Sequence, residues 1–114
     1  MKKYLFLDDE RMPKDVNWIR IDRFAPWDIV RSYEQAVVWV ETNGFPDVVS
    51  LDHDLGEIYD GLDFAKWLVN YDLDTNSMPE DFVFTSHSMN PSGRASIQSY
   101  LSNYLRVKNN NSGK

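Results

Sequence analysis

The sequence predicts an α/β domain built on a mainly parallel sheet of about four strands. Short apolar runs alternate with stretches of helical periodicity. Capping signals stand at the starts of the periodic stretches. Several of the apolar runs end in clusters of acids, hydroxyls or histidine. Alternation of this kind favours parallel pairing through right-handed crossovers.

Lys3 to Leu7 is apolar and stops at Asp8-Asp9, as a buried strand would. Residues 10–26 carry Pro13 and Pro26 and lack clean periodicity. They read as a long irregular connection, with a short helical turn or an extra strand near Trp18 to Ile21. Trp27 to Arg31 reads as the second strand. Ser32 and Gln35 have capping-box spacing ahead of Tyr33, Ala36, Val37 and Val40 on one helical face. Asn43-Gly44 and Pro46 end that helix. Asp47 to Leu51 is the third strand and runs into Asp52-His53-Asp54-Leu55-Gly56. Asp60 can cap a helix carrying Leu62, Ala65, Leu68 and Val69. Phe82-Val83-Phe84 is the fourth strand and leaves through Thr85-Ser86-His87-Ser88. Asn90-Pro91 starts a last helix, with asparagine as the cap and proline in the first turn. No convincing fifth strand follows it.

The 114 residues fit one domain, expected over 1–108, with 109–114 as a flexible polar tail. Lys2-Lys3 is followed by too short an apolar run for a signal peptide, and no stretch approaches the roughly 18 apolar residues of a membrane span. The absence of cysteine removes disulfides and thiolate chemistry. A soluble cytoplasmic protein is the expectation. Twelve basic residues against eighteen acidic ones argue against generic DNA binding, which needs a cationic footprint. A small phosphorylated ligand stays open, because a bound divalent cation can reverse the local field.

Ligands of open parallel sheets bind beyond the C-terminal strand ends. If the first and third strands are neighbours, Asp8, Asp9, Asp52 and Asp54 share one pocket. Crowded carboxylates raise one another's pKa unless a cation compensates. Oxygen ligands without thiolates favour Mg²⁺, Mn²⁺ or Ca²⁺, and the two histidines keep Mn²⁺ and Zn²⁺ open. Asp9 and Asp52 rank first as ligands, then Asp8, with Asp54 a ligand or a partner that orients a histidine. His53 and His87 both sit at active-end strand exits and are candidates for general acid/base or ligand roles, beside Asp52. Thr85, Ser86 and Ser88, the helix start at Asn90, Gly93 and Arg94 form an expected phosphate cradle. Gly93 would let a phosphate approach the backbone. Arg11 either pairs with Glu10 on the surface or reaches a phosphate. The tryptophans read as core, with Trp18 and Trp27 placed to line a pocket.

Leu5-Phe6-Leu7-Asp8-Asp9-Glu10, Asp47-Val48-Val49-Ser50-Leu51-Asp52, Asp60-Gly61 and Phe82-Val83-Phe84-Thr85-Ser86 resemble the motifs of the receiver domains of two-component response regulators. That resemblance implies a flavodoxin-like three-layer sandwich, with Asp52 at the phosphoacceptor position and Asp8-Asp9 at the metal-binding acids. The receiver's fifth-strand lysine has no counterpart, since Lys108 follows a helical pattern. The variant pattern Leu-Asp-Asp-Glu-Arg, Leu-Asp-His-Asp-Leu-Gly and His-Ser-x-Asn-x-x-Gly is similar to the cyclic-phosphate processing receiver-like family. That likeness implies hydrolysis of a small cyclic phosphate derived from a nucleotide or an RNA end. A Mg²⁺- or Mn²⁺-dependent phosphoesterase is therefore the leading expectation. Its alternatives are a phosphoacceptor signalling module and a non-catalytic interaction protein with a relic acidic pocket.

Overall fold

The structure is a computed structural model and describes residues 1–112. Four short strands, β1 (Tyr4–Leu7), β2 (Trp27–Val30), β3 (Val48–Leu51) and β4 (Val83–Ser86), form one sheet in the order β2-β1-β3-β4. Every pair is parallel, and Leu7 stands level with Val30 and with Leu51, which stands level with Ser86. The helices are α1 (Tyr33–Asn43), α2 (Gly61–Thr75) and α3 (Pro91–Ser112). This is the receiver-like arrangement that the motif order implied, with no fifth strand among the described residues. None of the helices among the described residues is long and apolar enough to cross a membrane.

The caps explain where the helices begin. Ser32 Oγ accepts from the Gln35 amide at 3.1 Å, as the capping box requires. The Gln35 side chain does not reach back to Ser32, however, and accepts instead from the Arg31 amide at 2.8 Å. Asp60 and Asp63 form a full reciprocal box at α2, each carboxylate accepting the other's amide at 2.9 Å. Asn90 caps α3 by accepting from the Gly93 amide.

All three helices pack on one face of the sheet. Leu5, Leu7, Val49 and Leu51 bury against Ala36 and Val40 of α1, Phe64 and Leu68 of α2, and Ile97 and Leu101 of α3. The opposite row, which includes Phe6 and Ser50, is covered differently. Phe6 and Val16 are fully buried yet stand outside the helix-side cluster. Trp27 packs edge-on against Tyr4 and Phe6. The third layer of the sandwich is thus the irregular connection 8–26. Its one regular piece is a 3-10 turn at Pro13–Asp15, not an element near Trp18 to Ile21. Proline fixes its own φ and removes a donor, which suits the first turn of a helix but cannot extend one. Trp18 anchors the segment instead, its indole N–H donating to the His87 carbonyl at 2.8 Å.

α3 continues to Ser112, so the polar residues expected as a tail are helical as far as Ser112; residues 113–114 lie outside the described residues. Part of its docking is polar. Asp72 of α2 is buried and accepts from the Met78 amide, the Tyr104 hydroxyl and the Lys108 ammonium. Burial alone would raise the pKa of Asp72, but these donors outweigh it and hold it below its ordinary value. A depressed carboxylate stabilises the fold above its unfolded pKa, and that contribution disappears as pH falls through the folded value. Asp72→Asn should therefore cost on the order of 2 kcal/mol at neutral pH, read as a lower urea midpoint. The gap between wild type and variant should narrow as pH falls below about 4. A gap that stays constant down to pH ~3 would show that the charge is not what stabilises the contact.

Candidate functional site

The strand register builds the site. β1, β3 and β4 end level at Leu7, Leu51 and Ser86, so the next residues form a row: Asp8, Asp52 and His87. The ladder continues one step beyond the strands, with Asp52 N–H donating to the Leu7 carbonyl and His87 N–H to the Leu51 carbonyl. Alternation points this row to the same side as Phe6, Ser50 and Thr85, away from the helices.

Asp8 and His87 are fully buried and Asp52 is 4% exposed. Asp8 Oδ2 lies 2.9 Å from His87 Nε2, and His87 Nδ1 lies 2.7 Å from Ser50 Oγ. The His87 ring stacks on Phe6 with centroids 4.4 Å apart. Asp8 Oδ1 accepts from the amides of Glu10 and Arg11. Burial works against the charge on Asp8, but the His87 hydrogen bond and the two amides outweigh it, so its pKa falls well below the usual carboxylate range. An ionised carboxylate only accepts, which assigns the shared proton to His87 Nε2. With that proton on Nε2, Nδ1 accepts a hydrogen bond from the Ser50 hydroxyl.

Asp52 behaves in the opposite way. Burial raises its pKa, and the charge on Asp8 raises it further, against the opposing pull of His87, the His53 amide and Arg11. The arrangement is therefore one ionised carboxylate beside one that resists ionisation, the condition a cation relieves. One donor atom each from Asp8, Asp52 and His87 lie within 4.8 Å of one another. The set fits a divalent ion through its carboxylate oxygens. His87 could join as a ligand only by giving up its Nε2 proton; otherwise it orients Asp8 from behind.

A cleft of about 300 Å³ opens over this row, lined by Asp9, Glu10, Arg11, Asp52, Asp54, Gly56, Ser88, Met89 and Asn90. Asp9 and Asp54 thus face the cleft but stand outside the buried trio. Asp54 is fixed by His53 Nδ1 at 3.0 Å, which lowers its pKa against slight burial, and more loosely by Asn90 Nδ2 at 3.4 Å. The other nitrogen of His53 lies 3.4 Å from Asp60 Oδ2 at the start of α2. Neither histidine is among the residues lining the cleft.

The expected phosphate cradle divides. Ser88 and Asn90 line the cleft, whereas Thr85, Ser86, Gly93 and Arg94 do not. Ser86 Oγ is committed to the Leu51 carbonyl. The space beside Gly93 is filled by the His53 imidazole, which a Cβ there would overlap. Its small size thus serves helix-to-histidine packing. Gly61 is constrained in the same way, since a Cβ would run into the Asp52 carbonyl. Lys108 binds Asp72 between α2 and α3, away from the cleft. Sequence reasoning missed Ser50, whose signal was a lone hydroxyl inside the apolar run Val48-Val49-Ser50-Leu51. It also left open the place of Arg11, whose Nη1 lies 3.4 Å from Asp8 and 3.7 Å from Asp52.

A four-stranded parallel sheet with carboxylates at its C-terminal edge defines a receiver-like domain. Residues 3–103 match the cyclic-phosphate processing receiver domain, and the chain belongs to that family. Among curated proteins, none matches this chain. Among solved structures, a fusion carrying the yeast Spc42 trimeric coiled coil aligns with a TM-score of 0.55 and 20% identity, covering 98% of this chain and 84% of that chain. The N-terminal domain of a response regulator/sensory box/GGDEF 3-domain protein from Carboxydothermus hydrogenoformans aligns with a TM-score of 0.48 and 18% identity, covering 96% of this chain and 98% of that chain. The first of these likenesses bears on the fold alone.

The opposed shifts of Asp8 and Asp52 give a direct test. In Asp8→Asn the neighbouring charge is gone, so the Asp52 carboxyl should titrate at lower pH than in wild type, followed by carbon-13 NMR of the side-chain carboxyls. An unchanged or higher midpoint would mean that the two carboxylates do not interact across the row.

Proposed function

We propose that this domain is a metal-dependent phosphoesterase that hydrolyses a small cyclic phosphate derived from a nucleotide or an RNA end. The observation that carries it is the buried Asp8–Asp52 pair, with Asp52 lining a cleft whose wall holds Arg11, Ser88 and Asn90 and Asp8 buried beside it. Acids to hold a cation and donors to hold an anion thus meet in one small volume. Membership in the cyclic-phosphate processing family supports the substrate class.

Asp8 and Asp52 would hold the ion, with Asp9 on its cleft side, and the oxygen-rich set favours Mg²⁺ or Mn²⁺. Such an ion withdraws charge from a phosphoryl oxygen and lowers the pKa of a bound water. The chain's own groups do the positioning. The Ser88 hydroxyl, the Asn90 amide and the Arg11 guanidinium are donors for phosphate oxygens. Asp54, ionised and aimed by His53, accepts the proton of the attacking water. His87 keeps Asp8 oriented from beneath. In the reaction water oxygen bonds to phosphorus, one ester P–O bond of the ring breaks, and the leaving oxygen takes a proton. The product is a phosphomonoester. The work would be done in the cytoplasm on a small phosphorylated ligand or an RNA-end cyclic phosphate, without generic DNA binding or membrane docking.

Purified protein with Mg²⁺ or Mn²⁺ and a panel of 2′,3′- and 1″,2″-cyclic phosphates should release monoester product. Asp52→Asn should lower that rate by about 100-fold or more. Stable phosphorylation of Asp52 by acetyl phosphate, with no turnover of any cyclic phosphate, would instead identify a phosphoacceptor module.

A further inference from the structure

Arg11 is the one basic side chain among the described residues that line the cleft, where it faces Asp9, Glu10, Asp52 and Asp54. Its backbone is held firmly. The Arg11 amide donates to Asp8 Oδ1 at 2.8 Å, and its carbonyl accepts from Arg31 Nη1 at 2.7 Å. Its head is held loosely. Nη1 lies 3.4 Å from Asp8 Oδ2 and 3.7 Å from Asp52 Oδ2, while Nη2 rests 3.5 Å from the Met89 sulfur. The guanidinium carbon lies 5.3 Å from the centroid of the Trp18 ring, and the side chain is 33% exposed.

These distances are long for charge-assisted hydrogen bonds, which close to about 2.7–2.9 Å. The guanidinium neutralises the two carboxylates without forming a tight fork with either. A divalent ion at Asp8 and Asp52 would bring a second cation against it. Like charges at such separations repel strongly in a partly dry site. The Arg11 side chain itself lines the cleft, beside Met89, Ser88 and Asn90, so its head can shift toward that space while its backbone stays fixed.

We propose that Arg11 is an exchangeable counter-cation. It neutralises Asp8 and Asp52 while no metal is bound, and a divalent ion displaces its guanidinium into the cleft, where it grips the substrate phosphate. Metal and phosphate then bind cooperatively, with Arg11 as the coupling element. The exchange rests on the phosphoesterase assignment above and adds to it a reason for ordered binding, metal before substrate.

Calorimetry with Mn²⁺ alone, and with inorganic phosphate in the presence and absence of Mn²⁺, tests the exchange. Arg11→Met keeps an apolar stem on Trp18 and removes the competing charge. It should bind Mn²⁺ about tenfold tighter than wild type, because the ion no longer displaces a guanidinium. Phosphate should bind the Mn²⁺-loaded variant more weakly than Mn²⁺-loaded wild type. Arg11→Lys, which keeps a charge but not the planar fork, should bind Mn²⁺ much as wild type does and still lose phosphate affinity. The lysine variant reads the phosphate arm if the methionine variant does not fold. Equal or weaker Mn²⁺ affinity in folded Arg11→Met, with Mn²⁺ binding intact in wild type, overturns the exchange and leaves the phosphoesterase assignment standing. No Mn²⁺ uptake by either protein removes both.

Discussion

Asp8 and His87 are buried against each other, and the C-terminal edge of the sheet is organised around keeping that contact satisfied. An ionised carboxylate without solvent needs donors on both oxygens. Asp8 finds them in the imidazole, in two amides of its own loop and, more distantly, in Arg11. Those amides fix the turn at Asp9 to Arg11, which in turn directs Asp9 and Arg11 to the cleft. On the other side, His87 needs Ser50 for its second nitrogen and Phe6 for its face, which ties the pair into β3 and β1. No buried side-chain polar atom is left without a partner among the described residues. Such a fully satisfied network fixes geometry more effectively than it adds stability.

The same constraint separates the roles of the acids. Adjacent residues leaving a strand point to opposite sides, so Asp8-Asp9 contributes one carboxylate to the floor and one to the wall. Asp52 and Asp54 also take different places, because the chain has left β3 by then and His53 holds Asp54 while Asp52 lies buried beside Asp8. One histidine therefore stands behind each group of acids. Neither needs to touch a substrate to affect the chemistry, because each controls where a carboxylate points and how readily it ionises.

Much of the fold was legible in the sequence because its signals are local. Ser32, Asp60 and Asn90 marked helix starts, and Leu5-Phe6-Leu7 and Val48-Val49 marked buried strands. The convergence of Asp8 with Asp52 was legible only on the condition that the first and third strands are neighbours, which the sheet order meets. Less legible was which member of each acidic pair faces inward. That depends on register, and Asp9 was ranked above Asp8, which the fold places in the buried row. The Ser50–His87 contact joins residues far apart in the chain, so the lone hydroxyl in the apolar run Val48 to Leu51 shows that a partner is needed but not which one. Gly93 was assigned to phosphate approach when its neighbour is the His53 ring, since a sequence shows that space is needed but not what fills it. The stretch 10–26 was correctly irregular, yet its job of replacing a helical layer could be seen only from the sheet face it covers.

That irregular layer is fastened near both ends. Arg31, just past β2, donates to the Asp8 and Arg11 carbonyls, and Trp18 is pinned to the His87 carbonyl. Further on, Trp27 holds the Asp22 carbonyl through its indole. The chain between these fasteners reaches solvent at Arg20, and past Asp22 the loop leaves Phe24 almost wholly exposed. A connection built as two clamps with slack between them separates two evolutionary freedoms. The span from Ile19 to Ile21 can lengthen, shorten or acquire new contacts while the residues beside Asp8 stay fixed, so change at the outer edge of this layer need not disturb the acids at the end of the sheet.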